Sequence, residues 1–169
     1  MISRSSDRLV AWLRQAYVME REAEAMLSVQ VRRIDHYPIL ARRLQQHLYE
    51  TQEQARKLEA CLARHGASVP SVKGATASFM AAMHAACNTL VSDEVMRDVV
   101  VDYAFEHMEV AIYETLVVAA EAAEDLETRA VCLEIFEQER TMASWLVEHL
   151  ESTARQFLDM EQSEVEAKR

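Results

Sequence analysis

The sequence predicts an all-α protein: a bundle of four long helices, with a long crossover carrying an extra short helix and an extension at the C-terminus. Three observations lead there. Only 2 Gly and 2 Pro occur in 169 residues, while strong helix formers (Ala, Leu, Glu, Met, Arg) abound. Half the chain is apolar, enough to build a core and too much for wholesale disorder. The apolar residues also recur at three- and four-residue spacing over long stretches, the signature of amphipathic helices. This length suits one domain over residues 1–169, its tail frayed from about residue 159.

The first helix is expected from Ser6, as N-cap, to about Arg33, with Asp7 in its first turn. Its apolar stripe reads Leu9, Leu13, Ala16, Glu20, Ala23, Leu27, Val31 and Ile34. After Asp35-His36-Tyr37, Pro38 suits the first position of helix two. Leu40, Leu44, Leu48, Ala55, Leu58 and Leu62 line that helix, which stops at His65-Gly66. A loop around Pro70 leads to a short Ala- and Met-rich helix, Ala75 to Asn88, apolar nearly all round. Ser92-Asp93-Glu94 opens helix three, which runs to about Ala123 with His107, Glu114 and Glu121 as its wet face. Helix four is expected from Asp125 to about Leu150, with Cys132, Phe136, Ala143, Val147 and Leu150 inward. Phe157, Leu158 and Met160 then suggest a short docked helix in the tail. Short links make helices one and two, and three and four, antiparallel neighbours, and the long link from helix two to helix three permits a crossover.

The net charge of −10 disfavours nucleic acid and anionic membranes as partners and favours solubility or metal cations. The polar N-terminus lacks the apolar core of a signal peptide, and no apolar run reaches the roughly 18 residues of a membrane span. Cys61, Cys87 and Cys132 are widely spaced and contain no CxxC. They read as apolar fillers in a reducing cytoplasm. No Gly-rich phosphate loop, Ser/His/Asp order or basic aromatic patch occurs.

Four glutamates stand where leucine belongs. Glu20 and Glu24 fall about 20° to either side of Leu13 on a helical wheel, and Glu109 falls about 40° from Phe105. Glu139 lies between the directions of Ile135 and Phe136. A carboxylate in a dry core is costly unless protonated, paired or bound to metal. Several converging in one bundle point to a metal site. On helix two, His47 lies within the stripe and Glu50 on its edge, an i, i+3 pair suited to shared ligation, and Glu106 and Glu109 repeat that relation. Glu20 and Glu50, like Glu109 and Glu139, are thirty residues apart, which in two similar hairpins sets each pair at similar heights. Glu22, Glu114, Glu121, Glu134 and Glu137 read as surface charges.

The plainer reading is that long Glu-rich helices place some acids in the stripe by chance, with stems that snorkel to water. Arg21, Arg43 and Arg140 are available to neutralise them without metal. His84 and Cys87 at i, i+3 read as packing, and the nine Met as core fillers. Tyr17, Tyr103 and Tyr113 lie near the acidic level, where core aromatics with bonded hydroxyls are the plain expectation and electron transfer beside a metal the sharper one.

Four segments carry a family resemblance: AYVMEREAEAML (16–27), RIDHYPILARRLQQHLYET (33–51), SDEVMRDVVVDYAFEHMEVAIYETL (92–116) and EIFEQERTMASWL (134–146). Through them the chain resembles the YciE/YciF-type ferritin-like bacterial stress proteins, and looks closer to the YciE branch. The resemblance implies a ferritin-like bundle, self-association as a homodimer or with a related ferritin-like protein, a cytoplasmic location and a link to stress responses. It also implies a carboxylate two-metal site for Fe or Mn, mapping onto Glu20, Glu50, Glu106, Glu109 and Glu139 with His47 nearby. In a redox-active centre Glu20 and Glu139 would be terminal ligands and Glu50 and Glu109 bridges, with peroxide or dioxygen as oxidant. The wider ferritin pattern places Glu-x-x-His on two helices. Here helix two reads His47-x-x-Glu50, Met142 stands where the other His belongs, and the adjacent acidic pair of helix four reads Gln138-Glu139. These departures point towards a carboxylate-rich or metal-free site, and so to the alternative of a non-catalytic structural or interaction protein.

Overall fold

The computed structural model describes residues 2–71, 85–88, 91 and 93–163. Four helices make the bundle: α1 (Ile2–Gln30), α2 (Pro38–Arg64), α3 (Glu94–Ala122) and α4 (Leu126–Gln162). Residues 85–88 are also helical, where the crossover helix was expected. Most of that expected helix, with His84 and Ser92, lies outside the described residues. No strand occurs among the described residues.

The predicted punctuation is largely observed. Pro38 opens α2, and Gly66 follows its C-cap His65 at φ +65°, where a side chain would be strained. Asp93 caps α3 by accepting from the Met96 amide at 3.0 Å. Asp125 caps α4 by accepting from the Thr128 amide at 2.9 Å and also meets His65 Nε2 at 2.8 Å. Three boundaries and one facing differ from expectation. α1 begins ahead of Ser6, so Ser6 is inside the helix, and it ends at Gln30 in a turn through Arg33. α4 runs unbroken to Gln162, so the tail is not a separate docked helix. Thr153 is buried on that extension, and Phe157 and Met160 pack on the core. Val147 is half exposed rather than inward.

Backbones approach along four edges of a square: α1–α2, α2–α4, α4–α3 and α3–α1. Apolar side chains gather in two clusters. One holds Leu9, Leu13, Leu58, Leu62, Leu116, Ala120 and Cys132. The other holds Ile34, Tyr37, Leu40, Leu44, Val95, Val99 and Leu146. The starts of α2 and α3 share the second cluster, so these helices run parallel and the crossover returns the chain along the length of the bundle, the ferritin-like arrangement. The candidate site lies between the clusters. Replacing Asp125 by Ala removes the α4 cap and the His65 partner, and a loss of about 1 kcal/mol is expected in chemical denaturation.

Candidate metal centre

Side chains from all four helices meet in the layer between the two apolar clusters. His47 on α2, Glu106 and Glu109 on α3 and Glu139 on α4 each offer a ligand atom, and these four atoms lie within 4.8 Å of one another. None of the four side chains is more than 2% exposed. His47 spans the diagonal of the bundle: its Nε2 lies 3.0 Å from Glu106 Oε1 and 3.6 Å from Glu139 Oε2. Its Nδ1 faces outward to Glu50 Oε2 at 3.1 Å. Glu20 joins from α1, its Oε1 accepting from the buried Tyr113 hydroxyl.

Helical register explains the convergence. One turn from Glu139 stand Ile135 and Met142, which belong to different apolar clusters, so the carboxylate enters between two dry layers. Glu106 and Glu109 at i, i+3 occupy one face of α3. Gln54, two turns beyond His47 on α2, is fully buried and donates from Nε2 to Glu139 Oε1 and, at 3.0 Å, to Gln138 Oε1.

Several oxygens in this layer have no hydrogen-bond partner: Glu20 Oε2, Glu106 Oε2, Glu109 Oε1 and Glu139 Oε2. Among the described residues no guanidinium pairs with them. Arg21 pairs with Glu24 at 2.6 Å, Arg43 with Glu50 at 3.1 Å and Arg140 with Glu137 at 2.5 Å, all on the flanks. Burial pushes the carboxyl of Glu20 up to about 8, against the Tyr113 hydrogen bond and the His47 charge, which favour its ionised form. Burial raises Glu109 and Glu139 well above the usual carboxylate range, and the neighbouring acids add to it. Burial opposes a charge on His47, but Glu106 and the other carboxylates outweigh it and raise the imidazole well above its ordinary value. Glu50 is the opposite case. Partial burial disfavours its charge, yet the His47 hydrogen bond and Arg43 bring it down to about 2.

Of the six residues predicted from sequence, His47, Glu106, Glu109 and Glu139 form the compact group. Glu20 borders it, and Glu50 stands behind His47, held by Arg43 and by Gln46 at 2.8 Å. Two facings are corrected. Glu24 lies at the stripe's edge, 20% exposed, with Arg21 and Gln52. Glu22, expected at the surface, is buried in a groove beside Trp12, Met19 and Met108. Tyr113 is in the layer, whereas Tyr103 stacks obliquely on His107 at the outside. Gln54, Gln30 and Asp102 were not anticipated. Asp102 was detectable as the residue one turn before Glu106; the amides carry no comparable signal.

The donor set suits a hard cation. Carboxylate oxygens without protein partners, beside one imidazole whose far nitrogen faces a carboxylate, are what such an ion would use. Residues 4–159 match the family described as "Domain of unknown function (DUF892)". The chain belongs to that family. A solved Xanthomonas campestris pv. campestris protein is 43% identical to this DUF892 chain, covering 94% of it and 99% of its own length, at a TM-score of 0.82. YcfI from Rhodopseudomonas palustris is 22% identical over 84% of this chain and 92% of its own, at a TM-score of 0.71. The E. coli stress protein YciF is 17% identical over 89% of this chain and 94% of its own, at a TM-score of 0.73. At these identities the last two show a shared fold. The sequence's resemblance to the YciE/YciF-type family is thereby borne out.

A raised carboxyl in the folded state makes stability greatest below its unfolded value and lowers it as pH rises towards the folded value. Without metal, this DUF892 chain is therefore expected to lose thermal stability as pH rises from about 5 to about 8, the window of Glu20. Glu20→Gln should flatten the decline. Melting temperatures in chelator across that range check it, and a wild-type profile that rises with pH would contradict it.

Proposed function

We propose that this chain binds iron or manganese at the His47, Glu106, Glu109 and Glu139 cluster and acts in stress defence, with peroxide or dioxygen as the oxidant it meets. The observation that carries the reading is the convergence of four buried ligand atoms within 4.8 Å. Three of those residues also keep an unpartnered oxygen. Oxygen donors with one imidazole favour hard or borderline ions over copper(I) or zinc. His47 would present neutral Nε2 inward while Nδ1–H donates to Glu50, the outer carboxylate fixing the ring. Glu20, with its own unpartnered Oε2, would complete a second seat, and Glu50 would join it only by leaving Arg43. A bound iron or manganese would supply the redox chemistry. The chain's own residues exclude water, hold the Tyr113 proton against Glu20, and release carboxyl protons as the cation takes their place.

Self-association belongs to the same reading. Trp12, Met108 and Ile112 line an apolar groove between α1 and α3, and exposed Val118 and Arg8 line the neighbouring one. Arg4 and Arg8 near one end of α1 and Glu22 further along would pair across an antiparallel contact with a second copy or a related bundle. Buried free thiols at Cys61 and Cys132 suit a reducing cytoplasm. Among the described residues no helix is long and apolar enough to cross a membrane.

One observation favours a second reading, a non-catalytic structural or interaction protein. Glu50 is already tied to Arg43 and Gln46, leaving a centre with a single imidazole. Chelation followed by anaerobic titration with Fe(II) or Mn(II) and elemental analysis separates the two. Stoichiometric uptake is expected, weakened at least about tenfold by His47→Ala and abolished by Glu109→Leu. No uptake by the wild type, with metal-free Glu109→Leu at least as stable as its parent, would establish the structural reading instead.

A further inference from the structure

A second group of buried oxygens lies outside the central cluster. On α3, Asp98, Asp102 and Glu106 follow at four-residue steps, each about 6 Å further along the axis. Asp98 is 6% exposed, Asp102 1% and Glu106 2%. The file begins near the outer end of the bundle, where the half-exposed Arg33 bridges Glu94 and, at 3.0 Å, Asp98. It ends at Glu106 beside His47.

Asp102 is the least explained member. It is not one of the four clustered ligands, and its fixed partner is Gln30 of α1, whose Nε2 donates to Oδ1 at 2.8 Å. Its Oδ2 is buried and unpartnered, and so is Gln30 Oε1. One carboxylate oxygen and one amide oxygen, both left without donors in a dry interior, cost stability. Both are donors of the kind a divalent cation takes while shedding water. Asp102 feels the charges of Asp98 on one side and of Glu106 and His47 on the other, so it stands between Asp98 and the centre.

We propose that Gln30 and Asp102 form a transit site through which Mn(II) or Fe(II) reaches the central cluster, with Arg33 closing the outer mouth. The proposal rests on the metal-binding reading above. A cation displacing Arg33 from Asp98 passes to Asp102 Oδ2 and Gln30 Oε1, then to Glu106, without crossing an apolar layer as a bare charge. The transit site is weak because it has few protein donors, so it sets the rate of loading and not the final occupancy.

Rapid mixing of chelator-treated protein with Mn(II), read by loss of the free-ion electron paramagnetic resonance signal, tests it. Asp102→Asn keeps an oxygen to accept from Gln30 and loses the charge. It is expected to slow loading at least tenfold and leave equilibrium stoichiometry unchanged. Arg33→Gln, at a half-exposed position, is expected to quicken loading. If wild type loads and Asp102→Asn loads at the same rate, Asp102 only holds the helices together and the transit site is overturned while the metal centre stands. If Arg33→Gln loads no faster than wild type, the closed mouth is overturned. A wild type that takes up no Mn(II) removes the central site and the route together.

Discussion

The structure depends on one electrostatic constraint: acids from three helices share a water-poor layer with a single imidazole as their positive partner. Glu20, Glu106, Glu109 and Glu139 are each at most 2% exposed, and the arginines that might have neutralised them turn to Glu24, Glu50 and Glu137. Several ionised carboxylates at such close range in low dielectric are not sustainable. The layer must therefore carry protons or cations. His47 can balance one charge, and burial pushes the carboxyls of Glu20, Glu109 and Glu139 towards their protonated forms. A divalent ion exchanges for those protons, coupling occupancy to pH and to stability.

That layer survives because the ends of the bundle do not share its cost. Leu9, Leu13, Leu58 and Leu62 dry one end, and Leu40, Leu44, Val95 and Leu146 the other. Burial of these side chains is the dominant favourable term, and it clamps the four helices closely enough that His47 can reach across the diagonal to Glu106. The hydrogen bonds within the layer are sparse and directional. Tyr113 holds Glu20, Gln54 holds Glu139, and Gln30 holds Asp102. Each joins adjacent helices of the square, so each fixes one oxygen of its acid and leaves the other free.

The bundle and most of the cluster were legible because each rests on a period. The stripe of α1 put Glu20 inside, and the stripes of α3 and α4 did the same for Glu109 and Glu139, since a helical wheel depends on backbone geometry alone. Glu22 defeated the wheel. Met108 and Ile112 of α3 face Trp12 and Met19 of α1 across a groove, and that groove buries a position an isolated helix would expose. Val147 failed the other way, standing half exposed on the outer flank of α4. The helix ends were harder still. Ser6 looks like a cap, yet the chain before it has no breaker and stays helical, while the C-terminal extension continues because it finds apolar neighbours at Phe157 and Met160. Gln54 and Gln30 were unreadable, since an amide in a stripe announces no chemistry until its partner is known.

The thirty-residue echo between the halves also shows why the site is lopsided. In the second half the spacing works as expected, and Glu109 and Glu139 come within ligating distance of a common group. In the first half the two acids face different partners. Glu20 goes inward and is met by Tyr113, while Glu50 lies a few residues along from His47 on the side where Arg43 and Gln46 wait. Reversing the Glu-x-x-His order on α2 thus puts the imidazole in the core and its carboxylate behind it. The better-furnished seat is the one His47 shares with Glu106, Glu109 and Glu139. The same exchange leaves Glu50 as the group that orients His47, ionised at any physiological pH because its partners hold it near 2. With Glu50 fixed as an anion, Nδ1 keeps its proton and Nε2 is the nitrogen left for a cation, so the reversal costs one ligand while fixing the tautomer of the one that remains.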